Sequence, residues 1–154
     1  MAKVYVKIVI RKKKDEVYKV LLGMERYSEF LRDVKHISIL TSAEDLIISE
    51  WKIDVDGTPI EWIQETTWDR TSQKWISFRM VQGDYQRYEG KWLLEEVGDG
   101  KTRVTLSAEF EWGVPGLERF VGSILEQKAS DSLRGMLVAI RRELHRCPVS
   151  RGCE

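Results

Sequence analysis

Few residue types in this sequence could perform chemistry on their own. It holds two histidines, His36 and His145, and two cysteines, Cys147 and Cys153. Both cysteines fall in Cys-Pro-Val-Ser-Arg-Gly-Cys-Glu, where a disulfide would close only a small tail loop, and in a reducing compartment they read as free thiols. No His-Glu-x-x-His, Cys-x-x-Cys, Gly-x-Ser-x-Gly or Gly-x-Gly-x-x-Gly spacing occurs. The expectation is no metal, no cofactor and no histidine-based nucleophile, with His36 an exposed surface residue. A different kind of site is written in Ile60-Glu61-Trp62-Ile63-Gln64-Glu65-Thr66. Alternate residues of a strand share a face, and an unpaired charge is costly to bury. Glu61, Glu65 and Asp69 therefore face out, which turns Ile60, Trp62, Gln64, Thr66 and Trp68 inward. Rings with two neutral polar groups among them are what a pocket for an apolar ligand requires, and the same residues could equally make a close-packed core. Catalysis in such a pocket would rest on Gln64, a threonine, tyrosine or arginine, or on positioning alone.

The same parity argument extends to the neighbouring segments. Trp51, Ile53 and Val55 oppose Glu50, Lys52 and Asp54; Tyr88, Gly90, Trp92 and Leu94 oppose Arg87, Glu89, Lys91 and Glu95. Val104, Leu106, Ala108, Phe110 and Trp112 oppose Arg103, Glu109 and Glu111. Ile76, Phe78 and Met80 point inward and place Arg79 outside, unless a bulge shifts the register. The ligand-binding candidates are Trp51, Trp62, Gln64, Thr66, Phe78, Tyr88, Trp92 and Phe110; if the protein is an enzyme, Gln64 and Arg79 are the catalytic candidates. Trp75 is the tryptophan left outside.

The elements that must position these residues follow from periodicity and turn chemistry. Val4, Val6, Ile8 and Ile10 alternate with Lys3, Tyr5, Lys7 and Val9 as a half-buried strand, closed by the basic run Arg11–Lys14. Asp15 reads as an N-cap, Val17, Val20, Leu21 and Met24 as a helix face, and Gly23 as a stop. A second short helix carries Tyr27, Phe30, Leu31 and Val34 on one side. From about residue 35 to 113 the period is two, with turns at Ala43-Glu44-Asp45, Asp56-Gly57-Thr58-Pro59, Asp69–Gln73, Gly83-Asp84 and Gly98-Asp99-Gly100, which makes six antiparallel strands. A long helix then runs from Pro115 to about His145. Its two apolar stripes, Leu117 to Leu125 and Leu133 to Leu144, centre in different directions. They predict a kink or register change near residues 126–132, or else stripes that touch different elements.

Composition bounds the function. The chain of 154 residues balances 25 Lys+Arg against 25 Asp+Glu and is 42% hydrophobic, which excludes a disordered polyelectrolyte and gives no overall field for nucleic acid. No stretch approaches the roughly 20 apolar residues of a membrane span, and the opening residues lack a signal-peptide core, so a cytoplasmic location without stable membrane insertion is expected. Six Trp, five Tyr and four Phe are more ring area than such a core needs.

The order of elements, with Tyr27-Ser-Glu-Phe30, Gln82-Gly83-Asp84-Tyr85-Gln-Arg-Tyr-Glu-Gly90-Lys-Trp92, Gly100-Lys-Thr-Arg-Val104 and Phe110-Glu-Trp-Gly-Val-Pro115, resembles the START-like (Bet v 1-like, helix-grip) superfamily. Within it the chain is most similar to the polyketide cyclase/dehydrase and coenzyme Q-binding branch. The resemblance implies an α+β helix-grip fold: a seven-stranded curved antiparallel sheet, ordered β-α-α-β6-α, wrapped around a long C-terminal helix. Residues 1–146 would form one domain and 147–154 a tail. It further implies a cavity for a hydrophobic small molecule such as a lipid, a quinone or a polyketide-like aromatic. In aromatase/cyclases of this kind the strand matching Ile60–Thr66 presents an aromatic, a small polar residue and an arginine. Here Trp62 matches, Gln64 takes the polar position and Thr66 stands where the arginine would be. Val34 stands where those enzymes carry a tyrosine, and Arg79 matches a second family arginine. Three readings remain: a binding or carrier protein, an aromatase/cyclase or cyclase/dehydratase, and an interaction module of the ribosome-association-toxin or Hsp90-activator kind.

Overall fold

In the computed structural model, residues 2–55, 57–84, 87–111 and 117–146 are described, without the side chains of Ala2, Val55, Thr58, residues 117–126 and Lys128. Seven strands form one sheet: β1 (Ala2–Ile10), β2 (Val34–Ser42), β3 (Ile47–Val55), β4 (Thr58–Trp68), β5 (Trp75–Gly83), β6 (Arg87–Gly98) and β7 (Lys101–Glu111). Their order is β1-β7-β6-β5-β4-β3-β2, with every neighbouring pair antiparallel. Consecutive strands from β2 to β7 are hairpin neighbours, and β1 joins the far edge beside β7, with Val4 opposite Ala108 and Val6 opposite Leu106. The chain crosses from β1 to β2, the opposite edge, through α1 (Lys14–Leu22) and a short 3-10 helix (Met24–Glu29). The last element is α2 (Leu117–His145).

Alternation buries one face of the sheet. Ile60, Trp62, Gln64 and Thr66 of β4 are all buried, as are Trp92 and Leu94 of β6 and Val104, Leu106, Ala108 and Phe110 of β7. A bulge does interrupt β5, but after Met80: Gln64 pairs with Met80 and Ile63 with Gln82, which leaves Val81 as the extra, exposed residue. Residues 75–80 therefore keep their parity, and Arg79 stays on the outer face.

Gly90 is required by close approach. It lies opposite Phe78 and Ala108, and a Cβ there would sit 2.6 Å from the Phe78 ring and 2.3 Å from the Ser107 carbonyl oxygen. The missing side chain is the space in which the Phe78 ring lies.

Two local expectations change. The helix α1 begins at Lys14 with no side-chain cap; Asp15 sits inside its first turn with Glu16, where negative charge favours the exposed N–H groups. The second helix is a single 3-10 stretch, and Val34 opens β2, because a turn over Arg32 and Asp33, closed by the Val34 N–H on the Leu31 carbonyl, ends the helical stretch. The helix α2 stays α-helical without interruption through residues 126–132. Among its described side chains the fully buried ones are Leu137 and Ile140, flanked by half-buried Leu133, Met136 and Leu144, and its main packing partner in the sheet is β1. The side chains of the Leu117–Leu125 stripe, and Trp112, Pro115, Cys147 and Cys153, lie outside the described residues.

Candidate functional site: an aromatic cavity under the C-terminal helix

A cavity of about 610 Å³ lies between the inner face of the sheet and α2. That volume is within the range of roughly 300–1,000 Å³ typical of small-molecule sites. Close-packed interiors leave few voids larger than a water molecule, so a space of this size is a feature of the fold. All eight binding candidates, Trp51, Trp62, Gln64, Thr66, Phe78, Tyr88, Trp92 and Phe110, lie on its wall. They come from β3, β4, β5, β6 and β7, brought together because each faces inward on adjacent cross-strand rows of the sheet. Trp68 shares the inner face but is only half-buried and does not line the cavity. Trp75 is on the outer face, with the Lys91 ammonium 5.7 Å from its ring centre.

The rings form a continuous band. Phe30 meets Tyr27 edge-on at 6.0 Å, Tyr27 meets Trp51 at 5.8 Å and 73°, and Trp51 stacks on Trp62 at 5.4 Å and 13°. Trp62 then meets Tyr88 edge-on at 5.3 Å, and Tyr88 meets Phe78 at 5.4 Å. Such offset and edge-to-face pairs hold each other's orientation beyond what area burial supplies. The sequence marks Tyr27 only as part of a helix face. In the fold, together with Leu21, Met24, Phe30 and Leu31, it closes one end of the cavity. Its hydroxyl donates to the Leu21 carbonyl, and burial, then the Glu25 charge, pushes its ionisation above the usual tyrosine range. The ring therefore stays neutral.

Polar groups among the rings are arranged two residues apart. The Trp51 indole N–H donates to Ser49 Oγ at 2.8 Å, and Ser49 reaches Met24 Sδ at 3.5 Å. The Trp62 indole N–H donates to Gln64 Oε1 at 3.1 Å, and Gln64 Nε2 donates to Thr66 Oγ1 at 3.0 Å. Ser49, Gln64 and Thr66 are all buried. Ser49 is absent from the sequence-derived candidates, although its parity with Trp51 is enough to place it inward.

The charged lining residues Arg32, Asp33, Asp131 and Arg142 are exposed or half-exposed, so they mark the rim. There Ser132 Oγ stands 3.5 Å from Asp33 Oδ2, while the other carboxylate oxygen of Asp33 lies 3.8 Å from Arg32 Nε. Arg79 is not part of the wall. It pairs with Glu65 at 2.9 Å on the outer face, which removes it as a catalytic candidate, because the sheet separates it from the cavity. His36 is exposed on β2 and bonds Ser38 Oγ at 2.7 Å.

A family model described as polyketide cyclase/dehydrase and lipid transport matches residues 10–137. The chain belongs to that family. Its matched span runs from the end of β1 to the core of α2 and so contains most of the cavity wall. Among solved structures this family member is similar to TTHA0849 from Thermus thermophilus (20% identity over 97% of this chain and 99% of that one, TM-score 0.87). It is also similar to the Zhui aromatase/cyclase from a Streptomyces species (17% identity, 94% and 93% coverage, TM-score 0.84). A third relative is the major latex-like protein 151 of Panax ginseng (14% identity, 94% and 98% coverage, TM-score 0.74). These likenesses establish the START-like, helix-grip fold. No curated protein matches the chain.

Proposed function

We propose that this protein binds a hydrophobic small molecule, such as a lipid, a quinone or a polyketide-like aromatic, in the cavity under α2 and acts as its carrier or binding protein. The observation that carries the reading is the cavity wall itself: about 610 Å³ bounded by a continuous ring band, with its charges confined to the rim. Apolar walls supply affinity by removing ligand surface from water, and a few polar groups set orientation. The binding residues are Trp51, Trp62, Gln64, Thr66, Phe78, Tyr88, Trp92 and Phe110.

An aromatase/cyclase would need a group that stabilises a developing enolate. Among the described residues no cation stands in the buried part of the wall, Thr66 occupies the position where the resemblance puts an arginine, and Arg79 is bound to Glu65 outside. This favours binding over cyclisation.

Tryptophan fluorescence tests the reading directly, since three indoles among the described residues line the cavity. Titration with a quinone, a fatty acid and a flat aromatic should quench or shift the emission for at least one class. Native mass spectrometry of protein purified from its own host should show a released small molecule. Silence in both measurements would overturn the proposal.

A further inference from the structure

The polar floor of the cavity has a direction. An indole N–H can only donate, so the Gln64 amide must turn its oxygen toward Trp62 Nε1 and its nitrogen toward Thr66. Thr66 Oγ1 then accepts from Gln64, and its own proton must point elsewhere. Among the described residues none accepts that proton, although Thr66 is 1% exposed and lines the cavity. The second N–H of Gln64, itself 5% exposed, is likewise unspent. A buried donor without a partner is costly, and an acceptor supplied by a ligand removes that cost. The relay thus leaves two donors to be met, the Thr66 proton and one Gln64 N–H, while the spare lone pairs of Gln64 Oε1 and Thr66 Oγ1 cost less to leave unpaired.

We infer that the cavity selects ligands carrying a neutral hydrogen-bond acceptor, a ketone or quinone carbonyl oxygen, which the Thr66 hydroxyl and the free Gln64 N–H bind at the floor while the rings enclose the apolar body. The inference rests on the ligand-binding reading above and narrows it. A carboxylate headgroup fits poorly at this depth: its charge would be stripped of water beside two neutral donors, with no cation in the buried wall among the described residues. The stack on Trp51 holds the plane of the Trp62 ring, and the bond to Gln64 sets the side on which its N–H lies.

Anthraquinone and anthracene test this, since they share a fused-ring body and differ in the carbonyl oxygens. Affinity of the whole protein for each is measured by tryptophan quenching, and the carbonyl stretch of bound anthraquinone by infrared difference spectroscopy. The native protein should show a carbonyl stretch shifted to lower frequency. In a double variant, Gln64→Leu with Thr66→Val, the preference for anthraquinone over anthracene should fall roughly five- to tenfold, as expected for one lost net hydrogen bond, and the shift should vanish. Thr66→Ser, which keeps the hydroxyl, should retain most of both effects and controls for a folding defect. Binding of both compounds with preference and carbonyl frequency unchanged in the double variant would overturn the inference while leaving the ligand-binding reading intact. Binding of neither compound, nor of any apolar ligand, would overturn both.

Discussion

Trp51 and Trp62 stand directly opposite each other on β3 and β4 and stack at 5.4 Å with their planes 13° apart. Each indole N–H is bonded by the residue two positions along its own strand, Ser49 for Trp51 and Gln64 for Trp62, and those two residues are themselves opposite in the register. The antiparallel pairing thus turns both indoles the same way, so that one stack presents its apolar faces as wall and its N–H groups to the polar floor.

Removing the ring and removing only its N–H should cost different amounts. Trp62→Ala is expected to destabilise by about 3–5 kcal/mol, as for other large aromatic truncations. Trp62→Phe keeps a ring against Trp51 but leaves the buried Gln64 oxygen without its donor, at about 1–3 kcal/mol. Urea denaturation measures both, and equal losses would mean that the stack itself contributes little.

At Gly90 a methyl group meets the Phe78 ring and the Ser107 carbonyl oxygen inside van der Waals distance. Gly90→Ala should therefore cost about 1–3 kcal/mol through forced displacement of the Phe78 ring and of the β7 backbone at Ser107. A double-mutant cycle with Phe78→Leu should show coupling of at least about 0.5 kcal/mol. Strict additivity would refute the contribution of the Phe78 ring and leave the Ser107 carbonyl as the source of the cost.

Gly135 behaves in the opposite sense. It lies within α2 at the cavity rim, and an added Cβ meets nothing within 4 Å. Gly135→Ala should raise stability by about 0.5–1 kcal/mol, the helix-propensity difference, with ligand affinity little changed. Gly135→Phe should instead obstruct the opening and weaken uptake in the fluorescence titration. If both variants bind as the native protein does, ligand does not pass this part of the rim.

The end of α2 should confer a pH dependence. The backbone N–H of Arg11 donates to His145 Nε2 at 3.0 Å, and burial, with the charges of Arg11, Arg141 and Lys12, lowers the His145 pKa below 6.5. The unfolded state then binds the proton more readily than the folded one. This stabilisation is complete above the unfolded pKa and is lost as pH falls through the lower folded value. His145→Gln keeps an acceptor for Arg11 but does not titrate. Its urea midpoint should change less than that of the native protein between about pH 7.5 and about pH 5. Identical pH profiles would exclude His145 as the source.

Much of this site is legible from parity alone. Placing Glu61, Glu65, Arg87, Glu89, Arg103 and Glu109 outside is enough to put Trp62, Gln64, Thr66, Tyr88, Trp92 and Phe110 on one face, because a one-residue slip would bury those charges. What parity does not supply is the extent of that face: Trp68 has the correct phase but lies beyond the cavity, and Ser49 has it too and sits buried beneath Trp51. Arg79 depends on where a bulge falls, and only the pairing of Gln64 with Met80 decides that. The contribution of Tyr27 is hidden for another reason. The same apolar spacing serves a helix packed on a core and a helix that closes a cavity.

By itself, then, the sequence determined the strand alternation, the hairpin punctuation and the identity of the inward side chains, since these follow from the cost of burying charge and from turn chemistry, which are local. Only the tertiary structure decided that α2, packed along β1, leaves a space over the middle strands, and that Trp62, Gln64 and Thr66 form a relay on the wall of that space. Both depend on how far apart two surfaces come to rest, which long-range packing sets and no local pattern encodes.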